Sequence, residues 1–442
     1  MAGSSSARSD LRRLFALAVP ALGVLAAEPL YLLVDTAVVG HLGAIALAGL
    51  ALGGVLLSTV STNLTFLSYG TTARSARLHG AGRRDDAVAE GVQATWIALA
   101  VGAVLLVAGQ LLARPVAEGL SGSPEITAAA VRWLRIALCG VPLILVTMAG
   151  NGWMRGVQDT RRPLGYVLAG NGLSAIACPV LVHVVGLGLI GSAIANVAAQ
   201  VISAGLFLRA LLAEHVSLRP HPARMRAQLV LGRDLVLRSL AFQTCFVSAA
   251  SVAARFGASV VGAHQIVLQL WNFLSLVLDS IAIAAQSLVG AALGAGDQPG
   301  ARGLARQVER FGLVLGVGTG VLFAALAGVL PRAFTSDSAV LSQIPHAWWF
   351  FVGLQPVAGV VFALDGVLLG AGDAAFLRTA TLGSALVGFL PLVWISLALH
   401  WGLLGIWCGL SAFMMLRLAS VVLRARSPRW SVVGAERAAH TG

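Results

Sequence analysis

Two carboxylates stand inside the first long apolar run of the sequence, Glu28 and Asp35 of the stretch EPLYLLVDTAVVG. Seven residues separate them, nearly two helical turns, so a helix is expected to project both from one face. A charge within a membrane span costs at least ~2.5–3.5 kcal/mol and faces a bundle interior or an aqueous cavity, where it marks an ion or substrate pathway. Aspartate is too short to reach the interface as arginine or lysine can. Pro20 and Pro29 remove backbone donors from the same helix and predict a kink. A bent, charged first span points to a moving helix that binds a cation or a proton. The plainer alternative is an aspartate at the outer interface that only caps the helix end.

The composition sets the element class that must position these acids. Of 442 residues, 58% are hydrophobic and 11% charged, which excludes a soluble globular domain and predicts an all-α polytopic membrane protein. The net charge of +12 does not indicate nucleic acid, because the arginines sit in short loops between apolar runs. Lysine is absent, a matter of genomic composition. Cys139, Cys178, Cys245 and Cys408 lie in apolar runs without metal-ligand spacing and are expected to be small buried residues. The apolar run behind the basic N-terminus is too long for a signal sequence and is read as a retained span.

Twelve spans are expected, at about 14–39, 44–71, 87–113, 126–151, 163–185, 188–212, 232–256, 259–291, 303–330, 338–368, 376–399 and 402–424. With the N-terminus placed inside, 25 arginines fall on the inner side, Arg8, Arg238, Arg417 and Arg437 among them. Only Arg114, Arg132, Arg135, Arg255 and Arg332 fall outside. An extra or missing span would reverse this bias in every later loop, so it supports the count and puts both termini in the cytoplasm of an inner (plasma) membrane protein. Trp348, Trp349 and Trp401 fall near outer ends, where an aromatic belt is expected.

A shift of 214 residues superposes the two halves without a gap: Gly43 on Gly257, Gly82 on Gly296, Pro142 on Pro356, Asp159 on Asp373 and Gly188 on Gly402. Six spans per half give parallel repeats, hence two pseudo-symmetric six-helix lobes around a central cavity. The expected division is an N-lobe at 10–212, a cytoplasmic linker at 213–231, a C-lobe at 232–425 and a cytoplasmic tail at 426–442. Such an architecture points to transport by alternating access. No filter-like sequence suggests a channel. The Gly-x-Gly turns at Gly80–Gly82 and Gly294–Gly296 lack the Gly-Lys-Ser/Thr ending of a nucleotide loop, and the scattered histidines offer no enzyme motif.

These residues resemble the multidrug and toxic compound extrusion (MATE) family, and within it the branch named for DNA-damage-inducible protein F. The carrying motifs are Pro20, Pro29-Leu-Tyr-Leu-Leu-Val-Asp35-Thr-Ala-Val-Val-Gly40-His-Leu-Gly43, Gly80-Ala-Gly82, Arg155-Gly-Val-Gln-Asp159-Thr, Gly262-Ala-His-Gln265, Leu278-Asp279, Ala284-Ala-Gln286-Ser-Leu-Val-Gly290, Gly294-Ala-Gly-Asp297 and Asp365-Gly-Val-Leu-Leu-Gly370-Ala-Gly-Asp373. The resemblance implies secondary active efflux of cationic or amphipathic organic compounds in exchange for H+, with Na+ as the alternative. It implies a functional monomer in the lipid bilayer, with no cofactor and no nucleic-acid partner. Asp35 matches the first-span acid of cation coupling, and Pro20 the proline at which that helix bends.

Where the family often carries Asn and Asp in the fifth and sixth spans, this chain has Asn171, then Ser174 and Cys178, with Asn196 facing them. A Na+ site wants several hard oxygens. With Cys178 in place of a carboxylate, Asp35 alone is charged, which favours the proton. Gln265, Gln269, Asn272 and Asp279 form a second polar line at helical spacing on the eighth span, either lining a substrate cavity or acting as packing glue. Asp365 is the repeat mate of Asn151 and is a gate, a cap or a second proton site. Asp35 maps to Ala249, which favours coupling in the N-lobe. A lipid-linked precursor flippase of the same wider superfamily is the alternative function.

Overall fold

In a computed structural model that describes residues 2–435, with side chains from residue 11, twelve helices are long and apolar enough to cross a membrane. They are α1 (Ala2–Gly40), α2 (Ala44–Gly80), α3 (Arg84–Leu120), α4 (Pro124–Gly156), α5 (Arg161–Val184), α6 (Leu189–Leu212), α7 (Pro222–Arg255), α8 (Ala258–Gly294), α9 (Gln298–Ala325), α10 (Pro345–Gly370), α11 (Ala374–Ala398) and α12 (Gly402–Arg426). No strand occurs among the described residues. Arg437 and the side chain of Arg8 lie outside them, as does the tail beyond residue 435.

The helices outrun the apolar runs because their polar ends stay helical in water. Thus α2 continues to Gly80, and α7 begins at Pro222, inside the expected linker. The rest of that linker is tied down. Gln93 of α3 donates to the Arg219 carbonyl and accepts from the His221 amide, and Trp96 donates to the Leu218 carbonyl. The expected tenth span starts late, at Pro345, because residues 338–343 form a separate short helix. Trp348 is not part of an aromatic belt. Its ring is buried and donates to the Phe323 carbonyl, whereas Trp349 and Trp401 are exposed.

The chain divides into two compact units, residues 19–232 and residues 233–442 joined by the start of α1 through Ala18. In the first unit α4 packs on α2, α3 and α6, while α5 pairs with α6. In the second, α10 packs on α8, α9 and α12, while α11 pairs with α12. The repeat therefore extends to packing. Gly152 of α4 presses on the Ser68 carbonyl and Gly366 of α10 on that of Ala282, leaving no room for a side chain. Those contact residues are themselves 214 apart, and small residues are what let membrane helices approach so closely. Backbone handedness repeats too. Left-handed residues pair as Gly43 with Gly257, Gly82 with Gly296, Gln158 with Gly372, Gly186 with His400 and Gly188 with Gly402. At Gln158 and His400 ordinary side chains accept a conformation that glycine adopts freely.

Candidate coupling site in the first unit

Asp35 lies on α1 five residues before its end, in a helix that runs unbroken through Pro20 and Pro29. Only 1% of its surface is exposed. The Ser192 hydroxyl of α6 donates to Asp35 Oδ1 at 2.6 Å, and the Cys178 thiol of α5 donates to the same oxygen at 3.2 Å. Ser192 in turn accepts from Trp133 Nε1 of α4 at 3.2 Å. Donors from α5 and α6 thus converge on one carboxylate oxygen of α1, with α4 behind Ser192. A buried carboxylate is tolerable only when its oxygens are satisfied or able to take a proton or an ion. Every donor here is neutral, so the site does not fix the carboxylate in its charged form as an arginine would.

The second oxygen, Oδ2, is buried without a hydrogen-bond partner. Three more buried oxygens lack a partner of good geometry: Tyr31 Oη, one turn earlier on α1 and close enough to feel the charge of Asp35, Ser174 Oγ and Asn196 Oδ1. The Tyr31 hydroxyl lies beside Ser174 and Asn196. Local sequence explains the gathering. Gly191 lets the start of α6 press against the backbone of Leu181 and Val182, which carries Ser192 to Asp35. Pro179 follows Cys178 directly and lacks an amide hydrogen, and α5 widens into a π-turn over Val180–Val184. Such turns are frequent at functional sites.

The structure gathers Asp35, Ser174, Cys178 and Asn196. Asn171 is half-buried on α5 and is not bonded to Asp35. Glu28, seven residues earlier on the same helix, is exposed while Asp35 is buried. The two acids do not share one environment, because burial depends on the flanking helices and Pro29 intervenes between them. Of the cysteines, Cys178 and Cys245 are buried, but Cys139 is exposed on a helix face. Ser192, Trp133 and Tyr31 were not singled out by sequence reasoning. Depth offered the missing signal, since Asp35 and Cys178 fall near the ends of α1 and α5 and Ser192 near the start of α6, span ends that lie at one level in the expected topology.

The second polar line does not form a comparable cluster. Gln265, Gln269 and Asn272 are exposed along α8. Asp279 is half-buried and near enough to Arg417 to feel its charge. Asp365 is buried and clamped by two arginines through Oδ2: Arg238 Nη2 at 2.5 Å and Arg417 Nη2. Arg417 is almost wholly buried, and its guanidinium stacks over Phe242 and Phe413 at 4.9 and 5.7 Å. Arg238 and Arg417 therefore do not behave as the inner-loop arginines that the charge count made of them; they are structural cations within the helix packing.

Comparison with known proteins agrees with this architecture. The MatE family model matches twice, over residues 20–180 and 235–395. The Arabidopsis thaliana protein DETOXIFICATION 44, chloroplastic, is 33% identical over 438 residues, covering 95% of this chain and 83% of that one. DNA damage-inducible protein F of Escherichia coli K12 is 30% identical over 426 residues, covering 92% and 90%. A crystal structure of a MATE transporter in the bent conformation superposes with a TM-score of 0.89 at 20% identity, covering 96% of both chains. The chain is a multi-pass membrane protein and belongs to the multidrug and toxic compound extrusion family of efflux transporters.

Proposed function

We propose that this transporter is a secondary active antiporter that exports cationic or amphipathic organic compounds in exchange for H+, with Asp35 as the coupling residue. The observation that carries the reading is the buried Asp35 carboxylate, held on one oxygen by two neutral donors and unpartnered on the other. A carboxylate in such surroundings can bind and release a proton without breaking an ion pair, and hydrogen bonds from neutral groups accommodate either form. Protonation removes its charge, weakening the bonds from Ser192 and Cys178 that tie α1 to α6 and α5. Pro20 supplies the point in α1 at which that helix can bend. Exposed Glu28, on the same helix, is an acid available to an organic cation. The inner-side arginine bias supports an inner-membrane protein with cytoplasmic termini.

Na+ is the second reading, favoured by one observation. Tyr31 Oη near Asp35, with Ser174 Oγ and Asn196 Oδ1 beside that phenol, supplies hard oxygens of the kind a small cation requires. Efflux of a fluorescent organic cation from proteoliposomes, driven by an imposed pH or Na+ gradient, separates the two. The proposal expects efflux to follow the pH gradient and to be lost in Asp35→Asn. Efflux that follows Na+ alone moves the reading to the cation site, and normal coupled efflux in Asp35→Asn rejects both.

A further inference from the structure

Outside the coupling site, the strongest unassigned feature is a groove of about 620 Å3 at the polar end of the second unit, between α9 and the end of α12. Arg302, Arg306 and Arg310 line it from α9 and Arg426 from α12. Residues four apart on a helix share a face, so the three α9 guanidiniums form a ladder. Against these four cations the lining holds a single acid, Glu309, already paired with Arg426 at 3.3 Å. Arg302 spends its Nε and Nη2 on the neutral Ser431 hydroxyl, at 3.1 and 3.0 Å. Among the described residues no carboxylate pairs with Arg306 or Arg310, and both are exposed.

The same face of α9 continues directly into apolar surface. Leu313, Val317 and Val321 follow Arg310 at helical spacing and are 45%, 46% and 65% exposed. Arginines matched to a phosphate, at the head of an exposed apolar strip on a membrane-spanning helix, have the profile of a phospholipid, charged at one end and greasy along the other. Guanidinium forks suit phosphate oxygens, and basic pockets between spans at the cytoplasmic face hold anionic headgroups.

We propose that this groove binds an anionic phospholipid, its phosphate on Arg306 and Arg310 and an acyl chain along Leu313, Val317 and Val321. A free phosphate or other soluble anion would share the arginine chemistry but would have no use for the apolar strip. The test is thermal unfolding of the full-length protein in detergent with added phosphatidylglycerol, phosphatidylcholine or inorganic phosphate at equal phosphorus, alongside native mass spectrometry to count retained lipid. The expected result is a rise in unfolding midpoint and retained lipid with phosphatidylglycerol alone. In Arg306→Gln/Arg310→Gln the apparent lipid affinity falls at least about tenfold. Should the double variant not fold, Arg310→Gln alone reads the same loss at smaller amplitude. An equal response to phosphatidylcholine, an equal response to inorganic phosphate, no response to phosphatidylglycerol, or undiminished binding in the variants would each overturn the proposal.

Discussion

The two units share a fold, a register and even their left-handed residues, yet they treat a buried aspartate in opposite ways. In the first, Asp35 meets a hydroxyl and a thiol and keeps one oxygen unpartnered. In the second, Asp365 also keeps one oxygen unpartnered, but its other oxygen meets two guanidiniums. A carboxylate with neutral neighbours can change charge at modest cost. One clamped between arginines cannot, because its protonation would strand two cations in the helix packing. The shared scaffold thus sets one buried aspartate among neutral donors and the other among cations. After α4 and α10 both repeat mates meet an arginine, but at different reach: Asp159 pairs with Arg162 in the first turn of the next helix, α5, whereas Asp373 reaches across to Arg424 of α12.

The comparison can be broken most forcefully at Arg417. Replacing it by leucine leaves Asp365 with Arg238 alone, removes the stacking on Phe242 and Phe413, and should destabilise the protein by about 2–3 kcal/mol, the upper range for a lost hydrogen bond to a charged group. Thermal unfolding in detergent reads this. Asp35→Asn should leave the unfolding midpoint near wild type, since the amide oxygen can still accept from Ser192. Next in size is Ser192→Ala, which removes a hydrogen bond to a charged group. Such bonds contribute about 1.5–3 kcal/mol, so pH-driven efflux should slow by at least about tenfold while substrate binding persists. Cys178→Ser replaces a weak donor by a stronger one at the same place, and efflux within about twofold of wild type is expected. Smallest is Tyr31→Phe. If Asp35 carries a proton, the phenol is dispensable and transport changes little; a large loss confined to Na+-driven transport would instead assign the hydroxyl to a cation site.

Much of this was legible in the sequence because membrane physics writes in long runs. The apolar spans, the arginine bias and the 214-residue register of glycines gave the number of helices and the duplication. Asp35 stood out because an acid in an apolar run is costly and rare. Ser192 did not, because a serine in a span carries no such penalty and is usually satisfied by its own helix. Its role arises only when Gly191 lets α6 close on α5. The difference in cover between Glu28 and Asp35 was not legible either. Helical spacing predicts direction along one helix but not which neighbours cover it. Arg238 and Arg417 looked like inner-loop charges until the packing of α7, α10 and α12 enclosed them around Asp365.

The central claim is that Asp35 alone carries the coupling proton, and lumenal pH in substrate-loaded proteoliposomes tests it most directly. With a pH-sensitive dye inside, substrate movement through the wild-type protein should produce an opposing proton flux. Asp35→Asn should produce none while still exchanging labelled for unlabelled substrate. Wild-type proton flux in Asp35→Asn would contradict the account.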